Sequence, residues 1–298
     1  MWKSLCRVIV GVALLLLLVR VADRLARRAG PLPAVAQPNA YEELLKVAAE
    51  VKVPPRELAE LGPDEIRELA AANAIRLERL RKALREETSV PLHTTRGWVD
   101  QHGRDVNALK KLAVVLGVQG KALMLEGKTS QSAACMLDVM LLGQAMPRGG
   151  IVSDGLQGLT VETVGMASLR ALVPSLSADF CRSAAQELER MEGRREPPER
   201  ILVTEDNWSA RSFGLVDWID GVVRRNAEAE RDAKFMSRYE EATGRTRRLI
   251  LSLAARGVEL ETGTPVTAPS LLVPGVLKAV PVDPKTGQPY TDIPIAAK

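Results

Sequence analysis

Residues Asp64–Glu87 read DEIRELAAANAIRLERLRKALREE, and this stretch decides the fold class. Ile66, Leu69, Leu77, Leu80 and Leu84 recur at helical spacing along one face. Glu65, Arg67, Glu68, Arg76, Glu78, Arg79, Arg81 and Lys82 cover the other faces, and Pro63 with Asp64 marks the start. A long amphipathic helix is the only regular structure that buries such a stripe.

The same periodicity runs outward in both directions. A short helix is expected at Tyr41–Val51, closed by Pro54-Pro55. Thr88 to Arg104 reads as a loop holding both histidines. A helix capped by Asp105 then runs to about Glu126, turning inward Val106, Leu109, Leu112, Leu116 and Leu123. Gly127 turns the chain into a second helix capped by Ser130, which ends at Pro147-Arg148-Gly149-Gly150. Further helices are expected at Ile151–Leu172, at Ala178–Glu192 (capped by Ser177, stopped by Gly193), over Pro198–Ala242, and at Thr246–Glu261 after Gly244. β-branched alternation is absent, so the expected class is all-α, with antiparallel helical hairpins over residues 41–262.

Upstream, Gly30–Asn39 (GPLPAVAQPN) carries three prolines and reads, with Ala40, as a semi-rigid linker. Before it, Val8–Val19 is an unbroken apolar run between basic residues. Residues 1–29 are therefore read as a membrane anchor, with Arg7 and Arg20 snorkelling and Trp2 in the headgroup zone. A cleaved signal peptide is the rival reading, since the run also fits an h-region. A cytosolic amphipathic or core helix is the third. Membrane lipid is thus an expected partner, in a single-pass protein of the bacterial inner membrane. Two basic residues precede the run and four follow it. That alone favours a cytoplasmic body, but the side stays open.

The chain has a net charge of +4, of which residues 1–30 supply +5, so residues 31–298 carry −1. No basic excess is left for a phosphate backbone, and with aromatics at 3% there are few stacking platforms, so nucleic acid is not an expected partner. Cys6, Cys135 and Cys181 form no CxxC and no metal-ligand spacing. The latter two read as small buried hydrophobes, able to pair only in an oxidising compartment.

Motifs that carry chemistry are weak. Gly127-Lys128-Thr129 resembles the end of a phosphate loop, but Ala122 stands where the motif needs glycine and no strand precedes it. In Gly150–Gly155 (GIVSDG), Ser153 is one residue out of nucleophile-elbow register. A hydrolase-like site would need Ser153 and Asp154 to meet His93 or His102. The two histidines with Asp100 specify no metal site, and no cofactor is expected. Glu65/Glu68, Glu86/Glu87 and Glu240/Glu241 read as solvated carboxylate pairs. Trp208, Leu215, Trp218 and Val222, with Phe213 nearby, form an aromatic stripe. Core packing is its first reading; Trp208, Phe213 and Trp218 are also the candidate surface for a protein partner.

Two resemblances add to this. Over about Asp105–Met146, Leu116, Gly120, Leu123 and Gly127 fall at spacings similar to a tetratricopeptide repeat, with Ser132 at the usual small apolar position. The likeness implies a helix-pair architecture and a concave protein-binding face. The tail, residues 263–298, contains Gly263-Thr264-Pro265, Leu272-Val273-Pro274, Pro281-Val282-Asp283-Pro284 and Gly287-Gln288-Pro289-Tyr290. It resembles the ends of bacterial pseudopilins and of membrane-anchored envelope proteins typical of planctomycetes. That implies an envelope protein whose irregular, proline-rich tail packs on the preceding helix. The expected function is a membrane-anchored helical scaffold or protein-interaction protein, leaning away from an enzyme. A hydrolase near Ser153, His93 and His102 and a pseudopilin-like assembly subunit are the alternatives.

Overall fold

A computed structural model describes residues 30–95, 97–212 and 225–294. The apolar run, Cys6, Phe213 and Trp218 lie outside the described residues. Among those described, eight α-helices make up the fold: α1 Ala40–Glu50, α2 Pro63–Leu84, α3 Trp98–Leu125, α4 Thr129–Ala145, α5 Val152–Leu172, α6 Ala178–Glu192, α7 Pro198–Ser212 and α8 Arg225–Thr262. The only β pairing among them is one bridge, Val282–Pro289, so the chain is all-α. None of the described helices is long and apolar enough to cross a membrane.

α2 follows its expected stripe at Ile66, Leu77, Leu80 and Leu84, which are buried together with Ala70, while Leu69 is half-buried. Asn73 is buried with them because it closes an amide pair with Lys52, accepting from its N–H and donating to its carbonyl, each at 2.9 Å. α2, with α1 and α3, encloses one apolar core through Leu44, Val47, Leu109, Leu112 and Leu116. α3 and α4 form the hairpin turned by Gly127, whose φ of 74° suits a residue without Cβ.

α4 and α5 cross at contact distance because glycines line the crossing. A Cβ at Gly143 would stand 2.6 Å from Glu162 N and Gly158 O, and one at Gly165 2.8 Å from Met136 O. A second core joins α4, α5, α6 and α8 through Met140, Leu169, Leu188 and Leu253.

Four expectations change. α3 begins at Trp98, not near Asp105, because Trp98 and His102 extend the buried stripe by two more turns. α4 begins at Thr129, with no side-chain cap from Ser130. α8 runs unbroken through Gly244, where the tail packs: a Cβ there would meet the Tyr290 hydroxyl at 3.4 Å. Residues 30–39 do not span free. Asn39 caps α1 through Tyr41 N and also exchanges hydrogen bonds with the Ser89 backbone, at 2.7 and 3.0 Å.

The tail is irregular but bound. Leu272, Val276, Leu277 and Tyr290 are buried in the second core. Arg247 Nη1 donates to Val282 O at 2.7 Å, and Asp283 caps the turn at Gly287, where φ is 69°. Cys135 and Cys181 are both buried free thiols.

Candidate functional site

The sequence candidates that meet in space do so where residues 30–32, the start of α3, the start of α5 and α7 converge. Asp154 is the third residue of α5. Its Oδ2 accepts the Ile151 N–H at 2.9 Å, capping the helix, and its Oδ1 lies 2.6 Å from His102 Nε2. A carboxylate only accepts, so this bond puts the imidazole proton on Nε2. Both side chains are buried, His102 at 6% and Asp154 at 1% exposure.

The imidazole lies flat on Trp98, with ring centroids 4.4 Å apart and planes 10° from parallel. Trp208 tilts against the far part of this stack at 5.1 Å, and its Nε1 donates to His93 O at 2.9 Å. Leu32 packs against the same core. Gly30 N donates to Asn207 Oδ1 at 2.9 Å, and Arg211 Nη2 donates to Gly30 O at 3.0 Å. The segment entering the body is thus held by α7 at the wall of the aromatic cluster.

Negative groups crowd the start of α5, as a helix N-terminus favours. Beside Asp154, Glu205 Oε2 accepts Val152 N–H at 3.0 Å. Burial pushes the Glu205 carboxyl up, against the pull of that N–H and of Arg231. Burial, then the charges of Asp154 and Asp105, pushes the Tyr41 phenol far up, and its buried hydroxyl has no hydrogen-bond partner among the described residues.

The hydrolase constellation does not assemble. His102 and Asp154 come together, but Ser153 and His93 are exposed while the pair is buried. His102 is moreover a helical residue, not the loop residue expected. Trp208, at 4% exposure, is a core side chain, in keeping with the first reading of its stripe. Phe213 and Trp218, its two companions, fall outside the described residues. Gly127-Lys128-Thr129 is a turn between two helices. No group of three or more His, Cys, Asp or Glu placed to hold a metal ion occurs among the described residues.

A second polar centre escaped the sequence reading. Arg195, just past α6, is buried between Glu162 of α5 and Glu192 of α6. It donates from Nη1 to Glu162 Oε2 at 2.8 Å and from Nε to Glu192 Oε1 at 2.7 Å. Gln144 Nε2 and Thr246 Oγ1 also donate to Glu162 Oε1, at 2.9 and 3.0 Å. Burial opposes the charge of Arg195, but the two carboxylates outweigh it and hold its pKa well above the usual range. Four helices are joined here by polar side chains, of which the Gln144 Oε1 is buried without a hydrogen-bond partner among the described residues. The signal was present: Glu162 is the lone charge in the apolar run LTVETVGMASL, residues 159–169.

No protein-family model matches this chain, and neither curated proteins nor solved structures provide one that is similar to it.

Proposed function

We propose that this protein is a membrane-tethered helical scaffold, whose rigid body is held close to its anchor and offered to a protein partner. The observation that carries this reading is the fastening of residues 30–32 to α7, through Gly30, Asn207 and Arg211. A free flexible leash would decouple the body from the segment before it; this one is hydrogen-bonded at its first described residue and bound again at Asn39. The apolar run Val8–Val19 supplies the anchor, and the tail's resemblance to envelope proteins supports a bacterial envelope location. The polar centres that join helices, at His102–Asp154 and at Arg195, act as pins in this reading. Their side chains are committed to one another.

Membrane fractionation with a carbonate wash, followed by protease protection, tests it. The full chain is expected to stay with the membrane, with residues 30–40 resisting protease. N207A/R211A is expected to open that stretch to cleavage while the body persists. Recovery of the full-length polypeptide, leader intact, in the detergent-free soluble fraction would overturn the proposal.

A further inference from the structure

A pocket of about 370 Å³ opens between α2, α4 and α6, lined by none of the residues of the two polar centres described above. Its cationic lining comes from Arg81 and Arg85 at the end of α2, Arg148 after α4, and Arg190 and Arg194 at the end of α6. Glu86, Asp138 and Glu187 are the acids, which leaves a net charge of +2. Two arginines are committed: Arg81 Nε donates to Asp138 Oδ2 at 2.7 Å, and Arg190 pairs with Glu187 at 2.5 Å. Arg85, Arg148 and Arg194 make no ion pair among the described residues.

Helix C-termini favour cations, which accounts in part for the arginines closing α2 and α6. It does not account for Arg148. Its backbone is fixed, its carbonyl accepting Val90 N–H at 2.9 Å beside Gly149 with φ 67°. Its Nε is buried without a partner. Burial and the neighbouring Arg194 lower its pKa, against the weaker pull of Glu196 and Glu87. A half-buried guanidinium next to a second, exposed one, with no carboxylate in ion-pair distance, is costly to keep unless an anion joins them.

We infer that this pocket binds the phosphate group of a small phosphate monoester, gripped by Arg148 and Arg194 with Arg85 at the rim. Such a group carries roughly −1.5 to −2 near neutral pH, which matches the uncompensated charge, and the guanidinium fork meets its oxygens in pairs. The volume lies within the ~300–1,000 Å³ of small-molecule sites, so there is room for an organic part. Leu137, Leu141 and Met191 offer it an apolar wall.

The test is calorimetric titration of the full chain in detergent micelles with glycerol 3-phosphate, against chloride at matched ionic strength. A parallel arm uses phosphatidylcholine vesicles with and without phosphatidic acid. Saturable binding of the free ester, weakened roughly tenfold or more in R148Q and in R194Q and less in R85Q, is expected. K285Q, in the tail, leaves it unchanged. Binding to phosphatidic acid that glycerol 3-phosphate displaces also supports the site and identifies a lipid headgroup as the source. If R148Q does not fold, R194Q and the exposed R85Q decide. No saturable binding of either phosphate by the folded wild type, or equal binding by all the variants, overturns the inference.

Discussion

Replacing Asp154 by alanine is the sharpest probe of how the fold is held at its entry. The carboxylate does two separate things with its two oxygens, capping Ile151 N–H and accepting from His102. Losing an N-terminal cap costs about 1 kcal/mol. Losing the His102 bond, and leaving its buried donor unsatisfied beneath Trp98, costs about 2 kcal/mol more. The sum of about 3 kcal/mol corresponds to a fall of roughly 6–12 °C in Tm for a chain of this class. Asp154→Asn keeps one acceptor oxygen, able to serve Ile151 or His102 but not both, so about half that loss is expected. The assay is urea unfolding of the full chain in detergent, followed by the fluorescence of Trp98, which stacks on the His102 ring, and of Trp208, which packs on Trp98. The double variant H102A/D154A should lose less than the two single variants together, since they share one bond. A D154A loss below about 1 kcal/mol, or identical losses for D154A and D154N, would refute the two-oxygen account.

Arg195→Met leaves Glu162 buried without its cation and Glu192 with Arg247 alone, and should cost about 3–5 kcal/mol in denaturant unfolding. Adding Glu162→Gln should return part of it, because the amide oxygen can still accept from Gln144 or Thr246. Gly143→Ala puts a methyl 2.6 Å from the α5 backbone. It should cost about 1–3 kcal/mol, read as a lower urea midpoint with unchanged helical circular dichroism. Burial pushes the thiols of Cys135 and Cys181 up from 9.0 to about 11. The native protein should therefore leave both unlabelled by a thiol reagent at pH 8 and expose them on unfolding. Because the folded pKa values are raised, their contribution to stability is whole below pH 9 and is lost as pH climbs toward 11.

The helices were legible from the chain because burying a stripe at 3.6-residue spacing needs no knowledge of its partner. Leu77, Leu80 and Leu84 are inward whatever they meet, and Ser177 and Gly193 bound α6 through purely local chemistry: Ser177 accepts Phe180 N–H, as a cap must. The same locality explains the failures. Trp98 and His102 extend α3, yet histidine counts as polar until Asp154, 52 residues away, takes its proton-bearing nitrogen. Gly244 breaks a helix by propensity, but the tail of the same chain packs against it.

What the sequence alone determined was the class: all-α, with an apolar run at Val8–Val19, a proline-rich tail and a near-neutral body. Only the tertiary structure decided which polar residues are pins, which glycines are contacts, and where unpaired arginines collect. The physical reason is that burial of an apolar stripe is settled one helix at a time. The worth of a charge, a histidine or a glycine depends instead on what stands within a few ångströms of it, and folding brings those neighbours from far along the chain.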